Sequence, residues 1–526
     1  MKGVKNAMKK FMSTLLAIIL VMGMIVPMTL SASADEPAVW DGSANIKWYF
    51  DGEADGTGIY KINTAADLAG FAYLVNASCE NNSVVTGVYY DADYNVLGYK
   101  AGAQFSARKM PTFVSYTPKA DDGSKVTVGD TFVGKKVKLC ADIVLNTGDA
   151  STWGENAPAN NWTPIGIAND NESWDNVPKF IGSFDGQGHT ISGMYVNAKR
   201  SDAKDWAVGL FGLVAIKSVA EIKNVTIDNF YVIGSLNVGG FVGRTKGPLT
   251  FENCYASNGY IFAGNQQQGT FVASTTEGAC TLENCGVDNV TLKGTTKIGS
   301  FIGLELSSPV TLKNCYAKAN IEGENYGGAL VGATKDGSVI VENVYSVVNI
   351  TTTKVDAETQ APAGNAGMIC GLVEGSTAVT ASSYYYVKNA VAGTIIDETA
   401  EGINEITIES ITGEAAKSTL SGFDFDLVWK TVADNTPVIE LRESDDAGED
   451  EGGFEYEDED EDDNKGNGGS TTTTKPADTS SDKDSSTTDT EAAAAKSGCG
   501  SSIGIASVAI MALVSGAAVV IGKKED

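Results

Sequence analysis

The chain has 526 residues, with 59 Gly against 12 Pro, and 38 Lys+Arg against 67 Asp+Glu, a formal charge of −29. That acidity argues against nucleic-acid binding, which needs a basic surface to neutralise phosphates. The single histidine, His189, excludes zinc sites built on two or three His and the His-Glu-x-x-His protease motif.

Residues 1–34 read as a secretory signal peptide. Lys2, Lys5, Lys9 and Lys10 form a basic start, an apolar stretch runs roughly from Leu15 to Met28, and Ala32-Ser33-Ala34 is a small-residue cleavage site. Residues 35–160 read as an N-terminal cap region with a short helix over 64–76. Thr64 stands at the N-cap and Asp67 at the capping-box position.

Residues 161–400 carry a repeat of about thirty residues. One element is a cluster ending in Gly or Ala: Val208-Gly-Leu-Phe-Gly212, Gly239-Gly-Phe-Val-Gly243, Gly269-Thr-Phe-Val-Ala273, Gly299-Ser-Phe-Ile-Gly303, Gly328-Ala-Leu-Val-Gly332 and Gly367-Met-Ile-Cys-Gly371. Their last residues lie 31, 30, 30, 29 and 39 positions apart, with an insertion near Thr351 to Pro362 explaining the last interval. A second element keeps the same beat: an apolar residue, a charged residue, then Asn224, Asn253, Asn284, Asn314 or Asn343, then Val or Cys. The apolar pieces are short, β-branched or aromatic, and bounded by Gly and Asn, with no helical stripe. The reading is an all-β chain: a right-handed parallel β-helix of about 30-residue coils, each strand pairing with its equivalent one coil away. A β-sandwich is the alternative. Asn tolerates the left-handed backbone of a tight corner, and stacked Asn amides can hydrogen-bond along the column.

In that phase Val225, Cys254, Cys285, Cys315 and Val344 point inward, and alternation sends Tyr255, Tyr316 and Tyr345 outward, with Tyr385 aligned more loosely. This tyrosine column, interrupted by Gly286, is the candidate ligand-binding surface, because flat rings beside polar groups suit sugars or apolar protein patches. Shielding of the sheet by ring-on-ring stacking is the plainer reading of the same rings.

Candidate chemistry is sparse. His189 lies in a Gly-flanked turn, Asp185-Gly-Gln-Gly-His189, where a structural role is the better reading and Asp185 can cap the turn. Glu252, Glu283, Lys313 and Glu342 form one outward column of mixed charge. Cys254, Cys285 and Cys315 are an odd set in one inward column, read as small buried hydrophobes without metal. No catalytic, cofactor-binding or metal residue is assigned.

Residues 401–442 read as a C-terminal cap, with Gly422-Phe-Asp-Phe-Asp-Leu-Val-Trp429 closing the last coil. Residues 443–498 form an acidic, then Ser/Thr-rich stalk whose like charges repel. Residues 499–526 read as a transmembrane helix and basic tail, since Ile503 to Ile521 is apolar and Lys523 and Lys524 follow. Cys499 is a plain thiol in this reading, with lipidation as the alternative. No Leu-Pro-x-Thr-Gly sorting motif precedes the anchor.

The Gly-Gly-Phe-Val-Gly clusters and the Asn-Cys-Tyr-Ala strands (Asn253 to Ala256, Asn314 to Ala317) resemble GLUG repeats. So do Trp162-Thr-Pro-Ile-Gly166 and Phe184-Asp-Gly-Gln-Gly-His-Thr-Ile-Ser-Gly193. The resemblance covers about Trp162 to Val387. It implies a β-helical surface module of bacterial proteins, often beside adhesin or immunoglobulin A1 protease modules, and carries no catalytic residues with it. The expectation is an exported, membrane-anchored protein with an extracellular ectodomain. It is a non-catalytic adhesin-like or scaffold protein that uses no cofactor and binds an extracellular glycan or protein. The rivals are a β-helix polysaccharide lyase or glycoside hydrolase, and a purely structural surface-layer component.

Overall fold

The computed structural model describes residues 37–78, 85–102, 114–167, 177–198, 207–216, 218–355, 357–359, 363–392, 394–396 and 401–440. The signal segment, the stalk, the anchor, Cys79 and Cys499 lie outside the described residues. Among the described residues, no helix is long and apolar enough to cross a membrane.

The expected helix forms over Ala65–Asn76. Thr64 Oγ1 accepts from the Asp67 backbone N–H at 3.1 Å, and Asp67 Oδ2 accepts from the Thr64 N–H at 3.0 Å. This reciprocal cap satisfies two donors that a helix start leaves free. The helix is buried on most of its circumference because it packs against the first coils. The Phe71 ring meets Phe180 edge-on at 5.4 Å and stacks on Phe184 at 6.1 Å. Asn76 ties the helix end to the first repeat: its Nδ2 donates to Pro164 O and its Oδ1 accepts from the Gly166 N–H.

From there the chain winds as stacked parallel coils. On one face Ala220–Lys223, Leu249–Glu252, Cys280–Glu283 and Pro309–Lys313 pair in register, so that Ile222, Phe251, Leu282, Leu312 and Val341 form one inward column. On the next face Thr226–Gly239, Tyr255–Gly269, Gly286–Gly299 and Tyr316–Gly328 pair the same way. A separate parallel sheet holds Phe211–Ile216, Val242–Lys246, Val272–Thr276, Ile302–Leu306, Val331–Lys335 and Val373–Glu374. The ladder reaches farther toward the N-terminus than the repeat motif does. Ile59–Ile62 pairs with Lys136–Leu139, which pairs with Ser183–Asp185. These first rungs lack the Gly and Asn signatures. A three-stranded antiparallel sheet (Val85–Tyr90, Val96–Ala101, Lys125–Thr127) is inserted between them, hiding their spacing.

The corners take the form their residues demand. Asn224, Asn253, Asn284, Asn314 and Asn343 all have φ between 50° and 54°. Each side-chain Nδ2 from Asn253 onward donates to Oδ1 of the preceding Asn, at 2.9, 3.1, 3.2 and 3.3 Å, and Asn224 donates to Asp185 Oδ1 at 3.0 Å. The residues that follow, Val225, Cys254, Cys285, Cys315 and Val344, are buried as expected. At the opposite corner Phe241, Phe271 and Phe301 stack at 5.0 and 5.5 Å inside the coil. Each such ring contributes roughly 1.5–3 kcal/mol of burial. Gly239 is required there, since a Cβ would stand 2.1 Å from the Val242 carbonyl oxygen.

The closing segment departs from expectation. Residues 409–439 supply Ile411, Leu420, Phe423, Trp429 and Ile439 to a second apolar cluster with Tyr316, Tyr345 and Tyr385. The segment therefore lies along the flank of the last coils, over their outward face.

Candidate ligand-binding groove

The tyrosine column is real, but it is not an exposed surface. Tyr316, Tyr345 and Tyr385 are 6%, 0% and 6% exposed, and Tyr255 is half-buried. Tyr316 and Tyr345 stack at 5.5 Å, Trp429 lies 5.7 Å from Tyr345, and the Tyr345 hydroxyl donates to Pro437 O at 2.6 Å. The Tyr385 hydroxyl reaches Ser421. Burial pushes the Tyr345 hydroxyl well above its ordinary pKa. These four residues face outward from the coil as alternation requires, yet the closing segment covers them. Gly286 does not break the column either. The Tyr316 ring lies over it, 2.5 Å from where a Cβ would stand.

His189 has a partner that its local sequence did not reveal. Its Nδ1 lies 3.1 Å from Asp142 Oδ1, an oxygen that also accepts from the Thr190 N–H at 2.9 Å. Asp185 caps its turn by accepting from the Gln187 N–H, and it begins the Asn ladder. Both residues serve the corner. In the charged column Lys313 Nζ pairs with Glu283 Oε1 at 2.6 Å on the surface, and this neighbour raises the ammonium pKa. Cys254, Cys280, Cys285, Cys315 and Cys370 are buried thiols, and burial pushes Cys280 up to about 12.

The open site lies elsewhere, in a groove of about 800 Å³ between the 148–156 loop and the face formed by Thr226–Gly239, Tyr255–Gly269 and Gly286–Gly299. Its floor is built from two columns. One is a second set of left-handed Asn residues, Asn229, Asn258 and Asn289, five positions after the first set. The other is Tyr260 and Thr291, which continue rung by rung a column that Tyr195 and Tyr231 begin, buried against Ala150 and Trp153. The three rings stack at 5.7 and 4.9 Å. Burial deepens toward the loop, where Trp153 meets Tyr195 edge-on at 6.0 Å, and it raises the hydroxyl pKa of Tyr231 and of Tyr260.

The loop is held over this floor by its own chemistry. Asp149 accepts from the Ser151 N–H at 2.9 Å, and the Ser151 hydroxyl together with this N–H holds its carboxyl below the usual range. Asn229 clamps the loop to the coil by donating to Gly148 O at 2.7 Å and accepting from the Ala150 N–H at 2.9 Å. Asp228 Oδ1 accepts from Ser257 Oγ at 2.6 Å and from Asn258 Nδ2 at 2.8 Å. Asn289 Nδ2 donates to Asn258 Oδ1 at 2.9 Å. There the second ladder stops. The next coil is one residue shorter, so Ala319 pairs with Val290 and nothing faces Asn289 in register.

The groove thus presents amides, two carboxylates and one ring edge-to-face with solvent, a set suited to binding a hydroxyl-rich molecule. The sequence did hold a signal for it: Asn229, Asn258 and Asn289 at a constant offset, and Tyr231 and Tyr260 at 29-residue spacing. Single Asn and Tyr residues in a repeat read first as corner and shield, and nothing local says which ones a distant loop will leave open.

No family model matches the chain. Over 138 residues, 26% of its length, it is 30% identical to halomucin of Haloquadratum walsbyi. The chain spans only 1% of that much longer protein. Among solved structures it is similar to a candidate immunoglobulin A1 protease from Bacteroides ovatus, at 18% identity and a TM-score of 0.40, covering 59% of this chain and 86% of that one.

Proposed function

We propose that the protein is an exported, membrane-anchored surface protein of the GLUG-repeat kind, non-catalytic and adhesin-like, which holds a rigid β-helix away from the cell to bind extracellular glycan or protein. We take the coil as right-handed, the hand that parallel-strand crossovers favour. The observation that carries the reading is the groove, where Asn258, Asn289, Tyr260 and Thr291 come together on one face of a stiff ladder. A binding protein needs such preorganised polar and aromatic groups and no acid–base pair. The signal segment, stalk and apolar C-terminal stretch of the sequence support the surface location.

Asp149 and Asp228 both line the groove, and this keeps the polysaccharide-cleaving alternative in view. One experiment separates the two. Full-length protein is applied to a glycan array and, in parallel, incubated with pooled polysaccharides in a reducing-sugar assay. Binding without new reducing ends is expected. Release of reducing ends at a steady rate overturns the non-catalytic reading.

A further inference from the structure

We infer that the groove takes an uncharged glycan segment, laid along the coil axis with one sugar ring on the open face of Tyr260; this rests on the binding reading above and names its ligand class. The stack Tyr195, Tyr231, Tyr260 ends in Thr291, whose side chain is too short to cover the ring below it. One face of Tyr260 is occupied by Tyr231, at 4.9 Å with planes 12° apart, and the half-buried ring lines the groove on its Thr291 side. A partly buried aromatic face held rigid by its neighbours is what the C–H face of a pyranose packs against.

The polar groups around it are unevenly satisfied, and the unsatisfied ones point to hydroxyls. Both donors to Asp228 fall on Oδ1, which leaves Oδ2 without a protein donor. Asn289 spends its Nδ2 on Asn258, and because the ladder stops at the shortened coil its Oδ1 has no donor from the next rung. The Tyr260 and Thr291 hydroxyls add two groups that can donate or accept. Acceptors and hydroxyls therefore sit on both sides of the ring, at the spacing of successive coils, about 4.8 Å. That rise is close to the length of one pyranose unit.

Charge selects among glycans. Asp149 and Asp228 line the groove, with no cation among its lining residues, and Lys293, the cation beside Tyr260, is paired with Glu322 at 2.7 Å. Asp288, nearby, is neutralised by Lys318 at 2.5 Å. A sulfate, uronate or sialate would face two carboxylates in a chain of formal charge −29. A neutral sugar meets no such penalty.

The test uses full-length protein and two sets of soluble hexasaccharides, neutral (gluco-, manno- and xylo-oligosaccharides) and anionic (oligouronates and sulfated oligosaccharides). Binding is read by calorimetry and by the change in intrinsic tryptophan fluorescence that is lost in Trp153→Phe, Trp153 abutting the ring stack. At least one neutral set should bind. Tyr260→Ala should weaken it by about tenfold or more and Asn289→Ala by several-fold, while Tyr260→Phe, which keeps the ring, should stay within about twofold. Failure of every neutral probe, stronger binding by the anionic set, or equal affinity in Tyr260→Ala and wild type would overturn the proposal. Array binding that persists unchanged in Tyr260→Ala would do so too while leaving the adhesin-like reading intact. That reading fails separately, if the full-length protein binds neither the array nor a panel of extracellular proteins.

Discussion

Asn284 donates its side-chain Nδ2 to Oδ1 of Asn253 at 3.1 Å, and both residues hold a left-handed backbone at φ 54°. The pair shows how one residue type meets two demands at once: a corner that ordinary side chains resist, and a polar group that must be paired where coils stack. Asn284→Leu should therefore lose a ladder bond on either side and strain the corner, at a cost on the order of 1–2 kcal/mol or more. Lys313→Leu removes only a half-exposed ion pair with Glu283, worth at most about 1 kcal/mol. Thermal melting of the two variants checks this. Equal melting temperatures would mean that the amide column does not carry the corner.

The Tyr345 hydroxyl and Pro437 O join the coil to its closing segment at 2.6 Å. Tyr345→Ala should cost on the order of 3–5 kcal/mol through the cavity left beside Trp429, whereas Tyr345→Phe, which loses only the hydrogen bond, should cost about 1 kcal/mol. Limited proteolysis should then cleave within residues 409–439 in the Ala variant far sooner than in wild type. Unchanged cleavage would show that the segment does not depend on the tyrosine face.

Glu305 is fully buried, with Ser308 N–H donating to its Oε1 at 2.6 Å and Thr334 Oγ1 donating to Oε2. Burial raises its pKa above the ordinary 4.5 despite those bonds, and nearby Asp336 adds to the rise. A carboxyl with a raised folded pKa contributes stability that is complete below the ordinary glutamate range and is lost as pH climbs through the folded value. Relative to Glu305→Gln, wild type should melt progressively lower as pH rises above the ordinary glutamate range. A flat difference, or one of opposite sign, would mean that burial does not outweigh the hydrogen bonds at Glu305.

Deleting residues from Ser497 onward should release the protein from cells in soluble form, since no charged residue lies between Ser497 and Gly522 and two Lys follow. Cell fractionation with an antibody to the ectodomain measures it. Full retention of the truncated chain in the envelope would remove the anchor assignment.

The parallel coil, its Asn corners and its inward Cys and Val residues were all legible in the sequence. These features follow from short-range physics: a left-handed corner that favours Asn, and alternation along a strand. A thirty-residue period then turns equal positions into hydrogen-bonded neighbours. The helix at Ala65–Asn76 was legible for the same reason, because its cap is local. What a repeat cannot state is which of its equivalent outward faces stays open. Tyr316, Tyr345 and Tyr385 are alike in pattern to Tyr231 and Tyr260. Only the docking of the distant 409–439 segment on the first set buried it, while the 148–156 loop left one edge of the second set in solvent. Exposure is settled by non-repeating chain far away in sequence, and by the loss of one residue before Ala319, which ends the second ladder and frees the Asn289 carbonyl.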